Sequence, residues 1–150
     1  VATAIAAEVT GGILFAFSTF VMPALRRLPS AEAVRAMQAI NLQAPRSLLM
    51  LPLIGSALGC LLIGGAVAVE SDGAGRVPSL VGAVTGLAAF LITAGYHVPR
   101  NNALGRLDPD DPGTDAGWKT YYAEWTRWNH VRSGLSILSG LALTIGALRR

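Results

Sequence analysis

Four stretches of this chain carry no charged side chain: residues 9–25, 47–69, 77–96 and 133–148. A hydrocarbon core about 30 Å thick takes roughly 20 mostly apolar residues in a helix, so runs of this length constrain the fold before anything else does. The two middle runs suffice alone. The first does if its helix starts near Val1 and passes through Glu8, and the last if its helix enters from Trp128 or earlier. A soluble four-helix bundle would need a polar stripe on every helix. Residues 48–69 have none, offering only Ser56 and Cys60 among aliphatics and glycines. The fold expected is therefore all-α: a four-transmembrane-helix bundle, a single integral membrane domain over residues 1–150. Composition agrees, with 14% charged residues where soluble domains carry about 25%. The first segment lacks the basic n-region of a cleavable signal peptide.

The connections follow from proline and charge. Helix one is expected over residues 1–24, with Pro23, Arg26 and Arg27 marking its exit. Ser30 reads as the N-cap of a short amphipathic helix over residues 31–42, lying at the interface. Pro45 ends it and opens helix two, residues 46–69. The polar turn over residues 70–78 reads as a plain hairpin connection. Helix three is expected over residues 79–97, stopped by Pro99, followed by a surface loop over residues 101–117. Helix four is long, from 114 or 115 to 148, its first half amphipathic and outside the core.

With four spans, loops one and three share a side. That side holds Arg26, Arg27, Arg35, Arg46, Arg100, Arg106, Lys119, Arg127 and Arg132, against Arg76, Arg149 and Arg150 on the other. The positive-inside rule puts the richer side in the cytoplasm, across a bacterial inner membrane. The net charge of +3 sits beside membrane spans and points to the lipid bilayer as partner, not to nucleic acid. Cys60, the only cysteine, excludes an internal disulfide and reads as a packing residue. Gly55/Gly59 and Gly82/Gly86 form two Gly-x-x-x-Gly patterns, suited to close helix packing within the chain or to a homo-oligomer; internal packing is favoured.

The unusual polar residues gather on the basic side. Trp118, Tyr121 or Tyr122, Trp125, Asn129 and Arg132 recur at helical steps and fall on one face of helix four. The aromatic residues suit a headgroup-level belt. Asn129, His130 and Arg132 stand at the mouth of an apolar span, where polar groups need partners, and Asn41, Asn101 and Asn102 are placed to supply them. Glu8 is the one acid inside a span, either functional or near the outer interface.

Four segments carry a resemblance over almost the whole chain: Phe15-Ala-Phe-Ser-Thr-Phe-Val-Met-Pro-Ala-Leu25, Met37-Gln-Ala-Ile-Asn41, His97-Val-Pro-Arg-Asn101-Asn102 and Trp125-Thr-Arg-Trp-Asn-His-Val-Arg132. The chain resembles the anthrone oxygenase-like family of small four-helical membrane proteins. Its fungal members oxidise an anthrone to an anthraquinone with O₂ and are described as needing no added cofactor. The resemblance implies site positions at Asn41, Asn101, Asn102, Trp128, Asn129 and Arg132, and His97 before Val-Pro departs from the expected pattern.

The function expected is a cofactor-independent monooxygenase acting on a small hydrophobic, anthrone- or phenol-like substrate. His130 or His97 removes a proton, Arg132, Asn129 and Asn101 complete the catalytic cluster, and Asn41, Asn102, Tyr122, Trp125 and Trp128 bind the ring system. Two alternatives remain open: a redox protein holding haem or copper through His97 and His130, and a non-enzymatic accessory subunit.

Overall fold

The computed structural model describes residues 1–69 and 73–149, so Glu70, Ser71 and Asp72 of the expected hairpin turn, and Arg150, lie outside the described residues. The described residues form five helices: α1 (Ala2–Leu25), α2 (Ser30–Gln43), α3 (Met50–Val69), α4 (Arg76–Leu104) and α5 (Thr114–Leu148). All but α2 are long and apolar enough to cross a membrane, so the chain is a four-transmembrane-helix bundle. At 1.5 Å per residue α5 is about 52 Å long, well beyond a core of about 30 Å. Its N-terminal part therefore projects beyond the apolar layer, where α2 covers it.

That projecting end has its own core. Met22 and Leu25 of α1, Val34 and Met37 of α2, Leu104 of α4 and Trp118, Tyr121 and Trp125 of α5 pack together there. Polar ties fix α2 in place. Gln38 Nε2 donates to the carbonyls of Leu104 and Leu107 at 3.0 and 2.9 Å, satisfying acceptors that the end of α4 leaves open. Arg35 pairs with Asp110, and Ser30 Oγ donates to Asp115 Oδ1 at 2.7 Å. Ser30 is thus the first helical residue and makes no cap; Pro29 holds the N-cap position, its fixed φ leading into the helix.

At the other end small residues bring the spans together. A side chain at Gly82 would collide with Leu143 of α5, and one at Gly86 with Cys60 and Ser139. Gly59 packs on Thr3, so three of the four patterned glycines serve contacts within the chain, while Gly55 faces open space.

The prolines correct the expected boundaries. Pro99 does not stop the third span, which continues to Leu104, and the loop shrinks to residues 105–113. A proline inside an α-helix loses a hydrogen bond and crowds the carbonyl four residues back. Here a π-helical segment, Thr93–His97, precedes it, and the Val98 N–H reaches back five residues to the Thr93 carbonyl. The widened turn makes room for the ring. The first span repeats the device: Phe17–Val21 is π-helical, Met22 N–H donates to the Phe17 carbonyl, and Pro23 follows. At the third corner, a 3₁₀ turn over Ala44–Arg46 and an extended Ser47 delay α3 to Met50.

Candidate functional site

Both π segments flank the same stretch of α5. π-bulges shift the helical register locally and recur at functional sites. Here they present Phe17 and Ser18 from α1, and Thr93 and His97 from α4, to the face of α5 that carries Trp125, Asn129 and Arg132.

Asn129 has no exposed surface. Its Nδ2 donates to the Leu14 carbonyl at 2.7 Å and to Ser18 Oγ at 2.8 Å, and its Oδ1 accepts from Arg132 Nε at 2.9 Å. Arg132 is 6% exposed, and its other guanidinium contact is from Nη1 to Thr93 Oγ1 at 3.2 Å. Among the described residues no carboxylate pairs with it; the ion pairs Arg35–Asp110, Arg100–Glu124 and Lys119–Asp115 lie elsewhere. The guanidinium carbon stands 5.2 Å from the centre of the Trp125 ring, a cation–π contact.

Trp125 joins this cation to the rest. Phe17 packs against it at 5.7 Å and His97 meets it edge-on at 5.0 Å. Its indole N–H donates to Asn101 Oδ1 at 2.9 Å; the same oxygen accepts from Tyr121 OH, also at 2.9 Å. Asn41 Nδ2 reaches Tyr121 OH at 3.4 Å, a long contact that extends the network to α2. His97 is fully buried between Tyr96 and Trp125. The Trp128 backbone faces its ring, yet neither ring nitrogen completes a hydrogen bond. The His97 imidazole and the Arg132 guanidinium thus lie on the same indole.

Of the residues singled out by sequence, Asn41, Asn101, Trp125, Asn129 and Arg132 share this network. Trp128 lies at its edge, 38% exposed and packed on Tyr96 at 4.9 Å. Tyr122 sits under Arg26 near Trp118. Asn102 and His130 are exposed and stand outside it. His97 is buried and His130 exposed, and among the described residues no three His, Cys, Asp or Glu side chains cluster as metal ligands. Glu8 sits inside α1 against Gly140 of α5, away from this centre. Ser18, Thr93 and Phe17 were not singled out. The available signal is a shared spacing: each π segment begins six residues before a proline.

The sequence profile of the anthrone oxygenase family matches residues 44–142. The chain belongs to the anthrone oxygenase family. No curated protein and no solved structure matches it. The matched span covers α3, α4 and most of α5, and with them Thr93, His97, Asn101, Trp125, Asn129 and Arg132. The contributions of α1 and α2, from Leu14, Ser18 and Asn41, come from outside it.

Proposed function

We propose that this member of the anthrone oxygenase family oxidises an acidic ring CH₂ of a flat, anthrone- or phenol-like molecule with O₂. One observation supports it above others: Arg132 is buried, positively charged and held by neutral partners only. A buried cation lacking an anion is costly, by several kcal/mol per ion even after relaxation. It suits a site where an anion forms during reaction, because preorganised donors act most strongly where charge develops.

The chemistry balances with the chain's own groups. His97, edge-on to Trp125, accepts the proton from the substrate CH₂ through the one lone pair that a neutral imidazole offers. The oxyanion of the resulting enolate rests at Arg132, oriented by Asn129 and Thr93. The carbanion carbon gives its electrons to O₂ and forms a C–O bond. Return of a proton gives a hydroperoxide, and loss of water leaves the ketone: CH₂ plus O₂ yields C=O plus H₂O. The electrons come from the substrate, so the reading needs no bound metal or flavin. Asn101, Trp125 and Tyr121 hold the wall behind the ring, and the hydrophobic substrate arrives from the bilayer. The same reading keeps the basic loops cytoplasmic in a bacterial inner membrane.

The direct test is turnover of an anthrone by the purified protein under ¹⁸O₂. One labelled atom in the new ketone and one in water supports the reading. No O₂-dependent consumption of anthrones or acidic phenols refutes it.

A further inference from the structure

Beside Arg132, towards the apolar half of the bundle, lies a small cavity walled by all four spanning helices. Two wall residues are those that hold the site. The Leu14 carbonyl accepts from Asn129, and Thr93 Oγ1 accepts from Arg132. Its volume is about 10 Å³, at the lower limit for one small molecule and far too small for an aromatic ring.

The lining decides what fits. Thr10, Ser56 and Thr93 bring hydroxyls, but each donates to a carbonyl of its own helix, those of Ala6, Leu53 and Ala89, at 2.9 to 3.0 Å. Those three protons are committed; Ser136 adds a fourth hydroxyl, and leucine, alanine and glycine residues with Phe90 supply the rest of the wall. A buried water needs two to four polar partners; an apolar gas needs none. Dioxygen dissolves better in hydrocarbon than in water, so a bundle standing in lipid meets its gas on this side.

We propose that this cavity is the dioxygen pocket of the protein: O₂ enters from the lipid, waits between Leu14 and Thr93, and meets the substrate carbanion from the membrane side, opposite the polar mouth of the bundle. The inference rests on the oxygenase reading. It also gives α3 a part, since Leu53 and Ser56 wall the cavity.

The experiment uses the full chain in lipid nanodiscs and O₂ itself as the paramagnetic probe. Methyl protons of buried Leu14 should relax under O₂ at least as fast as those of lipid-facing Leu58, which is 57% exposed. Ala89→Val, which adds two methyls to the wall, should remove most of that effect. Ala66→Val on an exposed position of α3 should not. In turnover, Ala89→Val should raise KM for O₂ roughly tenfold and leave KM for the aromatic substrate unchanged. Should Ala89→Val fail to fold, Ser56→Val fills the cavity from the opposite wall. The proposal is overturned if Leu14 is shielded from O₂, if water cross-peaks appear at Thr10 and Ser136, or if filling the cavity leaves KM for O₂ unchanged. If the protein oxidises no aromatic substrate, the oxygenase reading fails alone, and the relaxation measurement still decides whether the cavity holds O₂.

Discussion

Arg132 and Asn129 lie one turn apart on α5, and the 2.9 Å bond from Arg132 Nε to Asn129 Oδ1 orients both. Asn129 cannot rotate without also losing the Leu14 carbonyl and Ser18. The pair therefore presents a cation at fixed geometry in a buried site. Arg132→Ala should lower turnover of an anthrone by about 100- to 1,000-fold, the loss typical of removing one oxyanion donor. An arginine merely snorkelling to headgroups would cost little when removed. Exposed Arg106 and Lys119 serve as controls and should change nothing.

Asn129→Asp separates charge from shape. The carboxylate is nearly isosteric and would pair with Arg132 in place of the Asn129 amide oxygen. The fold should persist with a lowered melting temperature, since the carboxylate pairs with Arg132 but loses the donation to the Leu14 carbonyl. Activity should fall as far as in Arg132→Ala, because the cation is then already neutralised. Melting in detergent and anthrone turnover, measured on the same preparation, check this. A folded Asn129→Asp protein with full activity would show that the free charge of Arg132 is not required.

The two histidines make opposite predictions. His97→Gln keeps an amide where the imidazole stood but cannot take a proton, so turnover should drop by at least about 100-fold. His130→Gln alters an exposed position and should stay within about twofold of the parent. The reverse order would return the role of base to His130. An absorption spectrum of the purified protein belongs beside this pair. A Soret band lost in His97→Gln would replace proton abstraction with haem chemistry.

Topology is open to a labelling test. The chain has one cysteine, buried Cys60, so single cysteines can be read against little background. Cysteines placed at Ser30 and Asp110 should react with an impermeant maleimide from the same face only, because α2 and the loop before α5 are bonded to one another. In inside-out vesicles that face should be the accessible one. Labelling of the two positions from opposite faces would break the four-span arrangement.

The spans were legible because hydropathy sets them and little else competes. Asn129 and Arg132 were legible for a related reason: polar groups at the mouth of an apolar helix need partners, and these two bond to one another, but Asn101, expected to serve them, bonds Trp125 and Tyr121 instead. What the sequence concealed lies in the two π segments. Expecting Pro99 to end the helix assumes an unbroken α ladder, and the ladder widens just before it. Ser18 and Thr93 looked like ordinary small residues of a span, since only the register shift turns them towards Asn129 and Arg132. His97 likewise looked like a helix-end residue and is instead fully buried.

That register shift can itself be tested. Pro99→Ala restores a backbone N–H and removes the ring that crowds the Gly95 carbonyl, so the regular i to i+4 ladder becomes available across residues 93–99. Proline inside a regular helix costs about 3 kcal/mol or more, so the substitution should not lower the melting temperature. Closing the π segment removes one residue's worth of register, and in an α-helix one residue corresponds to about 100° of rotation. His97 would leave the Trp125 ring or Thr93 would leave Arg132, since both cannot keep their places when the segment between them tightens. Turnover should therefore fall by more than about tenfold in a protein at least as stable as the parent, a pattern that simple destabilisation does not produce. Trp125 reports the change directly, because losing its edge-on imidazole alters its fluorescence. Unchanged activity with unchanged fluorescence would mean that the π segment is retained without its proline, and that Pro99 does not set the position of His97.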